Sequence, residues 1–146
     1  MTGVAQASER NILGPTGYKG IELGASEAQA VATGLLVDGE GGEFCRRYYF
    51  APTEGTMPRA SGVFISGSRG VTLIGGTSRM RTNEGVGRGS KLADAKRVYP
   101  DLTRDPEADW LYTSPVPGNK DAKYKFVVLN DIVDDFSLES NDRGGC

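Results

Sequence analysis

The sequence predicts an α+β domain in which two α-β-β-β repeats form an antiparallel sheet with two short helices packed on one face. Three observations favour this fold: a glycine-flanked helix motif that occurs twice, strand-like segments after each copy, and 21 glycines in 146 residues, where a share of about 7% is usual. A chain of this length has the size of one domain. We predict a flexible, exposed lead-in at residues 1–16 and a single domain at 17–146.

The first helix is predicted to run from Glu27 to about Thr33. Ser26, followed three residues later by Gln29, is the pattern of a capping box, and Gly34 ends the alanine-rich run. This motif places the helix near the start of the first repeat, at about residues 18–80.

The same pattern returns 65 residues later, in the second repeat at about residues 81–146. We expect a second helix from about Lys91 to Tyr99, because Pro100 cannot continue it. The matching pairs are Gly20 and Gly85, Ile21 and Val86, Gly24 and Gly89, Ala28 and Ala93, and Ala30 and Ala95.

Each helix is followed by segments rich in aromatic and β-branched residues, which are typical of strands. Gly67-Ser68-Arg69-Gly70 joins two of these segments in a hairpin, and Asn130-Asp131 joins two others. The predicted strands are 44–51, 62–66, 71–75, 109–113, 123–129 and 132–138.

The two cysteines are predicted to form one long-range disulfide. Cys45 lies in a predicted strand and Cys146 is the last residue, so a bond would fasten the chain end to the sheet. A metal site needs more ligands than two distant thiols, and redox catalysis favours a closer pair. Free thiols in a reducing compartment remain the alternative. A disulfide would indicate an oxidising compartment.

Composition excludes several kinds of site. The chain has no histidine, which removes triads and metal sites that depend on imidazole. Basic residues concentrate in 66–100, but the acidic remainder would repel a polyanion, so no nucleic-acid partner is expected. The loop at 85–90 lacks the spacing of a phosphate motif, and Asp105-x-Glu107-x-Asp109 lacks the distal glutamate of a calcium loop. We expect no metal and no cofactor.

Aromatic residues are the best candidates for a binding surface. Alternate residues on a strand point to the same side, so each of three aromatic pairs should share a face. The pairs are Tyr48 and Phe50, Trp110 and Tyr112, and Tyr124 and Phe126. Most should form the core, and the predicted exceptions, which would contact a partner, are Tyr49, Trp110 and Tyr112. Asp131, Asp134 and Asp135 are interpreted as a solvated acidic strand edge.

The helix entry Gly20-Ile21-Glu22-Leu23-Gly24-Ala25-Ser26 resembles that of SmpA/BamE-like lipoproteins and β-lactamase inhibitory protein. From about Tyr18 onward the chain resembles exported or lipoprotein-type actinobacterial proteins of uncharacterised function with tandem repeats of this kind. Met80 to Ser90, the turn at Pro117-Gly118-Asn119, the segment 122–126 and the terminal Cys146 carry that resemblance. It implies an envelope or extracellular location and a helix-strand fold, but no reaction. Ala25 stands where methionine is usual.

Three hypotheses for function follow. The first is a non-enzymatic exported or cell-envelope binding module, monomeric, with a protein partner and with no transmembrane segment in this chain. The second is a proteinaceous inhibitor of a secreted enzyme such as a β-lactamase or protease. The third is a hydrolase that uses carboxylates alone, with Asp134 and Asp135 as candidates.

Overall fold

The computed structural model describes residues 11–58 and 61–146 and has the architecture of an antiparallel sheet with two helices, as the α+β prediction requires. Eight strands form one sheet in the order β3-β4-β5-β6-β10-β9-β8-β7, and β1 and β2 form a small separate ladder. The elements of the described residues are β1 (Gly17–Tyr18), β2 (Ile21–Glu22), α1 (Glu27–Ala32), β3 (Leu36–Gly41), β4 (Cys45–Phe50), β5 (Val63–Ser66), β6 (Gly70–Gly75), α2 (Leu92–Val98), β7 (Thr103–Arg104), β8 (Leu111–Val116), β9 (Asn119–Leu129) and β10 (Ile132–Ser140), with a 3-10 turn at Pro52–Glu54.

Four strands follow each helix in the described residues, one more than the sequence predicted. The additional strands, β3 and β7, are the two edges of the large sheet. An edge strand pairs on one side only, so it needs fewer strand-favouring residues. β3 contains two glycines and two acidic residues, and β7 has only two residues, which explains why neither produced a pattern.

The two helices begin in different ways. In α1 the predicted capping box is confirmed: the Gln29 amide N–H donates to Ser26 Oγ at 3.1 Å, and the Ser26 amide donates to Gln29 Oε1 at 2.9 Å. Lys91 precedes α2 without a side-chain cap. Instead, the amide of Leu92 donates to the Asp131 carbonyl at 2.8 Å. The β9–β10 turn therefore supplies an acceptor to the start of α2.

One face of the sheet carries the buried core. Tyr124 lies opposite Leu138, and Phe126 lies opposite Phe136, so these side chains share that face. The rings of Tyr124 and Phe126 contact the ring of Tyr99. The centroid of the Tyr99 ring lies 5.8 Å from that of Tyr124 and 5.6 Å from that of Phe126. The same buried cluster includes Ala30 of α1, and Leu92 and Ala95 of α2.

The predicted lead-in is shorter than expected. Leu13 is fully buried, its amide donates to the Arg81 carbonyl at 2.9 Å, and its carbonyl accepts from the Tyr124 hydroxyl at 2.9 Å. Residues 11–16 therefore pack against the fold, because Leu13 fills a place in its core. Residues 1–10 lie outside the described part of the chain.

The predicted acidic strand edge is wrong. β10 pairs with β9 on one side, and its residues Ser137–Glu139 pair with β6 on the other. The strand that contains Asp134 and Asp135 is therefore internal to the sheet, and Asp135 is only partly exposed. The sequence alone did not reveal the pairing of β10 with β6, which joins residues more than 60 positions apart.

The predicted disulfide is confirmed between Cys45 and Cys146, with 2.03 Å between the two sulfur atoms. The residues before Cys146 fold onto the end of the sheet, where Ser66 Oγ donates to the Gly144 carbonyl at 3.2 Å. Arg143 donates to the Cys146 carbonyl at 2.7 Å. The chain end is thus fastened to β4 and β5.

Within residues 11–58 and 61–146, neither helix has the length and apolar character needed to cross a lipid bilayer.

Candidate functional site: an apolar patch at the β9–β10 turn

The side of the sheet opposite the core, which we call the outer face, is crossed by one row of paired residues. The strand register aligns them across β4, β5, β6, β10 and β9. Leu73 in this row is buried but is not part of the main core cluster, in keeping with its position on the other side of the sheet. The row consists of Arg47, Phe64, Leu73, Glu139 and Lys123.

Glu139 is the centre of the charges on the outer face. Its buried carboxylate lies 3.3 Å from the ammonium of Lys123, 3.0 Å from that of Lys125 and 2.7 Å from the guanidinium of Arg143. Burial alone would raise the pKa of Glu139, but the three cations outweigh it and hold this pKa below its usual value. The charges of the outer face are therefore largely satisfied within the molecule.

The predicted partner residue Tyr49 lies on the outer face. It is partly buried and lies opposite Val37 in the register, and the guanidinium of Arg47 lies 5.3 Å from the centre of its ring. The Arg47 guanidinium is also 5.7 Å from the centre of the Phe64 ring. The guanidinium of Arg143 lies 5.5 Å from the centre of the same ring. Tyr49 is therefore held among side chains of its own molecule.

Trp110 lies at a different part of the molecule, in what we call the end patch: Trp110, Leu129 and Ile132. Their exposed fractions are 47%, 50% and 38%, which makes them three of the five large exposed hydrophobic residues among those described. Leu129 and Ile132 are paired across the ends of β9 and β10, and the amide of Val128 donates to the Trp110 carbonyl at 2.8 Å. The three residues therefore lie at one end of the sheet.

The β9–β10 turn explains why these apolar side chains are exposed. Asn130 and Asp131 have φ values of 53° and 63°, the left-handed conformation of a tight two-residue hairpin. In the part of the chain that the structure describes, the β9–β10 ladder ends at the pair Leu129 and Ile132. The turn is held by main-chain hydrogen bonds, because Leu92 donates to Asp131 at 2.8 Å and Val133 donates to the Ser90 carbonyl at 2.8 Å. The end patch thus has a rigid support.

Two shallow cavities adjoin in the end patch. The first, of about 390 Å³, is lined by Trp110, Tyr112, Leu129 and Asp131 together with Arg104. The second, of about 380 Å³, is lined by Ile132, Leu92, Lys91, Lys96 and Asp131. Asp131 borders both cavities, and charged residues of both signs line each of them beside apolar ones.

Tyr112, the third predicted partner residue, lines the first of these two cavities beside Trp110. It is partly buried against the core, and the ammonium of Lys96 lies 6.0 Å from the centre of its ring. Trp110 and Tyr112 therefore come together as predicted, whereas Tyr49 does not join them because β5, β6, β10 and β9 separate its strand from β8. Sequence reasoning missed Leu129 and Ile132, although two apolar residues that directly flank a two-residue turn lie where the ladder ends.

The acidic and glycine-rich motifs have local structural roles. Asp105 Oδ1 accepts from the Glu107 amide at 2.8 Å, which stabilises the turn before β8. In the loop before α2, Ser90 Oγ accepts from the Gly87 amide at 3.0 Å. Among the described residues, no three or more histidine, cysteine or acidic side chains are grouped so that they could hold a metal ion.

Comparison of the chain with protein-family models, with curated proteins and with solved structures gives no match.

Proposed function

We propose that this protein is a non-enzymatic exported binding module that contacts a protein partner through the end patch. The observation that carries this proposal is the exposure of Trp110 beside Leu129 and Ile132 on a support fixed by main-chain hydrogen bonds. Aromatic residues in a clustered apolar surface are typical of the central part of protein interfaces. A rigid turn loses little conformational freedom when it binds.

The proposed location is the cell envelope or the extracellular space. The disulfide between Cys45 and Cys146 supports it, because such bonds persist mainly in oxidising compartments. The resemblance to tandem SmpA/BamE-like and β-lactamase-inhibitory-protein-like repeats, given by the helix entry at residues 20–26, points in the same direction.

Two features of the architecture belong to the same proposal. We infer that the chain arose by duplication of a helix-plus-strands unit and that both helices cover the core side of the sheet. The strand order supports the duplication, since β3 to β6 and β7 to β10 are arranged in mirrored order about the β6–β10 pair. The presence of Ala30 and Ala95 in the same core cluster supports the common face.

Capture of a partner from the native envelope fraction or culture fluid tests the proposal. Wild-type protein and Trp110→Ala are immobilised in equal amounts, with Phe44→Ala as the matched control. Phe44 is 79% exposed but lies away from the end patch, because it directly precedes β4, the strand that contains Cys45. We expect wild type and Phe44→Ala to retain the same partner and Trp110→Ala to lose it. Equal capture by all three proteins would contradict a role for the end patch.

The shape of the β9–β10 turn favours inhibition of a secreted enzyme as a second candidate. The turn is tight, and the apolar residues Leu129 and Ile132 flank it, a form suited to a concave site. A panel of β-lactamases and secreted proteases at micromolar inhibitor tests this candidate. Unchanged rates throughout the panel would argue against inhibition of these enzymes and leave the binding proposal standing.

A further inference from the structure

A small cavity lies on the outer face, separate from the end patch. Its volume is about 160 Å³. Phe64, Leu73 and Val127 provide apolar walls, whereas Asp135 and Lys125 bring charge to its lining. The remaining lining residues are Ser61, Phe136 and Ser137.

Asp135 brings to this cavity wall a carboxylate with one unsatisfied oxygen. Its Oδ1 atom is buried and has no hydrogen-bond partner among the described residues. An ionised oxygen in that position needs a donor, because burial removes the hydrogen bonds that water would supply. The χ2 torsion of aspartate is broad and twofold, so either oxygen can turn toward a molecule that enters the cavity.

The neighbouring cations form no ion pair with Asp135, although Nε of Arg88 is also buried without a hydrogen-bond partner among the described residues. The Lys125 ammonium lies 3.0 Å from the carboxylate of Glu139, and Arg88 donates to the Thr56 carbonyl at 3.0 Å. Asp135 takes part in none of the ion pairs formed by the described residues. The adjacent Asp134 is exposed and adds negative charge. The cavity therefore combines apolar walls with a carboxylate that has no cation in contact.

We propose that this cavity binds a primary alkylammonium group, with the apolar stem against Phe64, Leu73 and Val127 and the ammonium donating to Asp135. A positive donor satisfies both the charge and the hydrogen-bonding capacity of the carboxylate, whereas an alcohol of equal length satisfies only the second. This site is independent of the end patch, because none of its lining residues borders the end-patch cavities.

Opposing effects act on Asp135. Burial raises the pKa of its carboxyl group and outweighs the other effects, the Phe136 main-chain hydrogen bond and the positive charge of Arg88 lower it, and the negative charge of Asp134 raises it. A bound ammonium acts in the same direction as Arg88. We therefore expect alkylamine binding to lower the pKa of Asp135.

Titration of the isotope-labelled protein with butylammonium, followed by the methyl signals of Leu73 and Val127 and the carboxyl carbon of Asp135, tests the site. We expect saturable shifts, and an affinity at least about tenfold weaker for n-butanol and for Asp135→Asn, as expected for loss of a charge-assisted hydrogen bond. Asp134→Asn is the matched control, since it removes the adjacent exposed carboxylate, and it should bind like wild type.

A second arm distinguishes the source of the ammonium group. Lysine blocked at both backbone ends is titrated beside butylammonium, and tighter binding of the blocked lysine assigns the cavity to a side chain of a protein ligand. Tighter binding of butylammonium assigns it to a free amine. Two results would overturn the proposal and leave water as the only occupant of the cavity. One is a set of shifts that fail to saturate with both amines. The other is equal affinity for butylammonium in wild type and in folded Asp135→Asn.

Discussion

The outer face and the end patch differ in where their side chains find partners. On the outer face, Glu139 is surrounded by Lys123, Lys125 and Arg143, all from the same chain. In the end patch, Trp110 and its apolar neighbours are exposed. Interactions within the chain stabilise the fold, whereas exposed apolar area contributes to stability only when another molecule covers it. We therefore expect changes on the outer face to alter stability and changes in the end patch to alter binding.

The largest expected effect on stability comes from removal of the disulfide that holds the chain end beside the outer face. Cys45 and Cys146 are 101 residues apart. In the chain-entropy model, a loop of this length corresponds to a loss of about 4 to 5 kcal/mol in the free energy of unfolding when both cysteines are replaced by serine. Urea unfolding of the double variant and of the oxidised wild type, under the same conditions, measures this loss of unfolding free energy. Equal midpoints would show that the bond contributes nothing.

A smaller loss is expected when the central carboxylate of the outer face is neutralised. Glu139→Gln leaves three cations without their shared negative charge, but each of them reaches solvent, so the expected cost is about 2 kcal/mol in the free energy of unfolding. Asp142→Asn is the control, because it removes an exposed carboxylate paired with Arg69 at 3.0 Å. Similar losses for the two variants would contradict the special position of Glu139.

The pH dependence of stability should distinguish the same residue. The pKa of Glu139 is lowered in the folded protein, so the unfolded chain binds more protons in acid. Its contribution to stability is present above the unfolded pKa of about 4.3 and is lost as pH falls through the lower folded pKa. The difference in unfolding free energy between wild type and Glu139→Gln should therefore shrink as pH falls below about 4. A difference that grew on acidification would have the wrong sign.

The smallest effect on stability is expected in the end patch. The double variant Leu129→Ser/Ile132→Ser should unfold within about 0.5 kcal/mol of wild type, because both side chains are substantially exposed and their main-chain pairing is unchanged. Thermal unfolding followed by circular dichroism measures the change. A loss comparable to that of Glu139→Gln would show that these residues belong to the core.

Local patterns predicted the elements whose determinants are local. The helix α1 follows from its Ser26 and Gln29 capping box, and the hairpin at Asn130-Asp131 follows from turn chemistry. Non-local arrangements were not predictable in this way. Glu139 meets its cations only because β9 and the chain end are brought to β10, and the hydrogen bonds that hold Leu13 come from Arg81 and Tyr124, more than 60 positions away.

The candidate site was predictable in part for the same reason. Trp110 and Tyr112 lie on one predicted strand, and alternation alone brings them together. Their association with Leu129 depends on the pairing of β8 with β9, and the separation of Tyr49 from them depends on the order of all eight strands of the large sheet. Aromatic content identified candidates for binding, but the sheet order decided which of them share a surface.

The most direct test of the contrast between the two surfaces is capture of the partner by Leu129→Ser/Ile132→Ser and by Glu139→Gln, side by side, at a temperature where both variants are folded. We predict that the end-patch variant loses the partner and that Glu139→Gln retains it. The reverse result, with capture lost only in Glu139→Gln, would place the binding surface on the outer face and contradict this account.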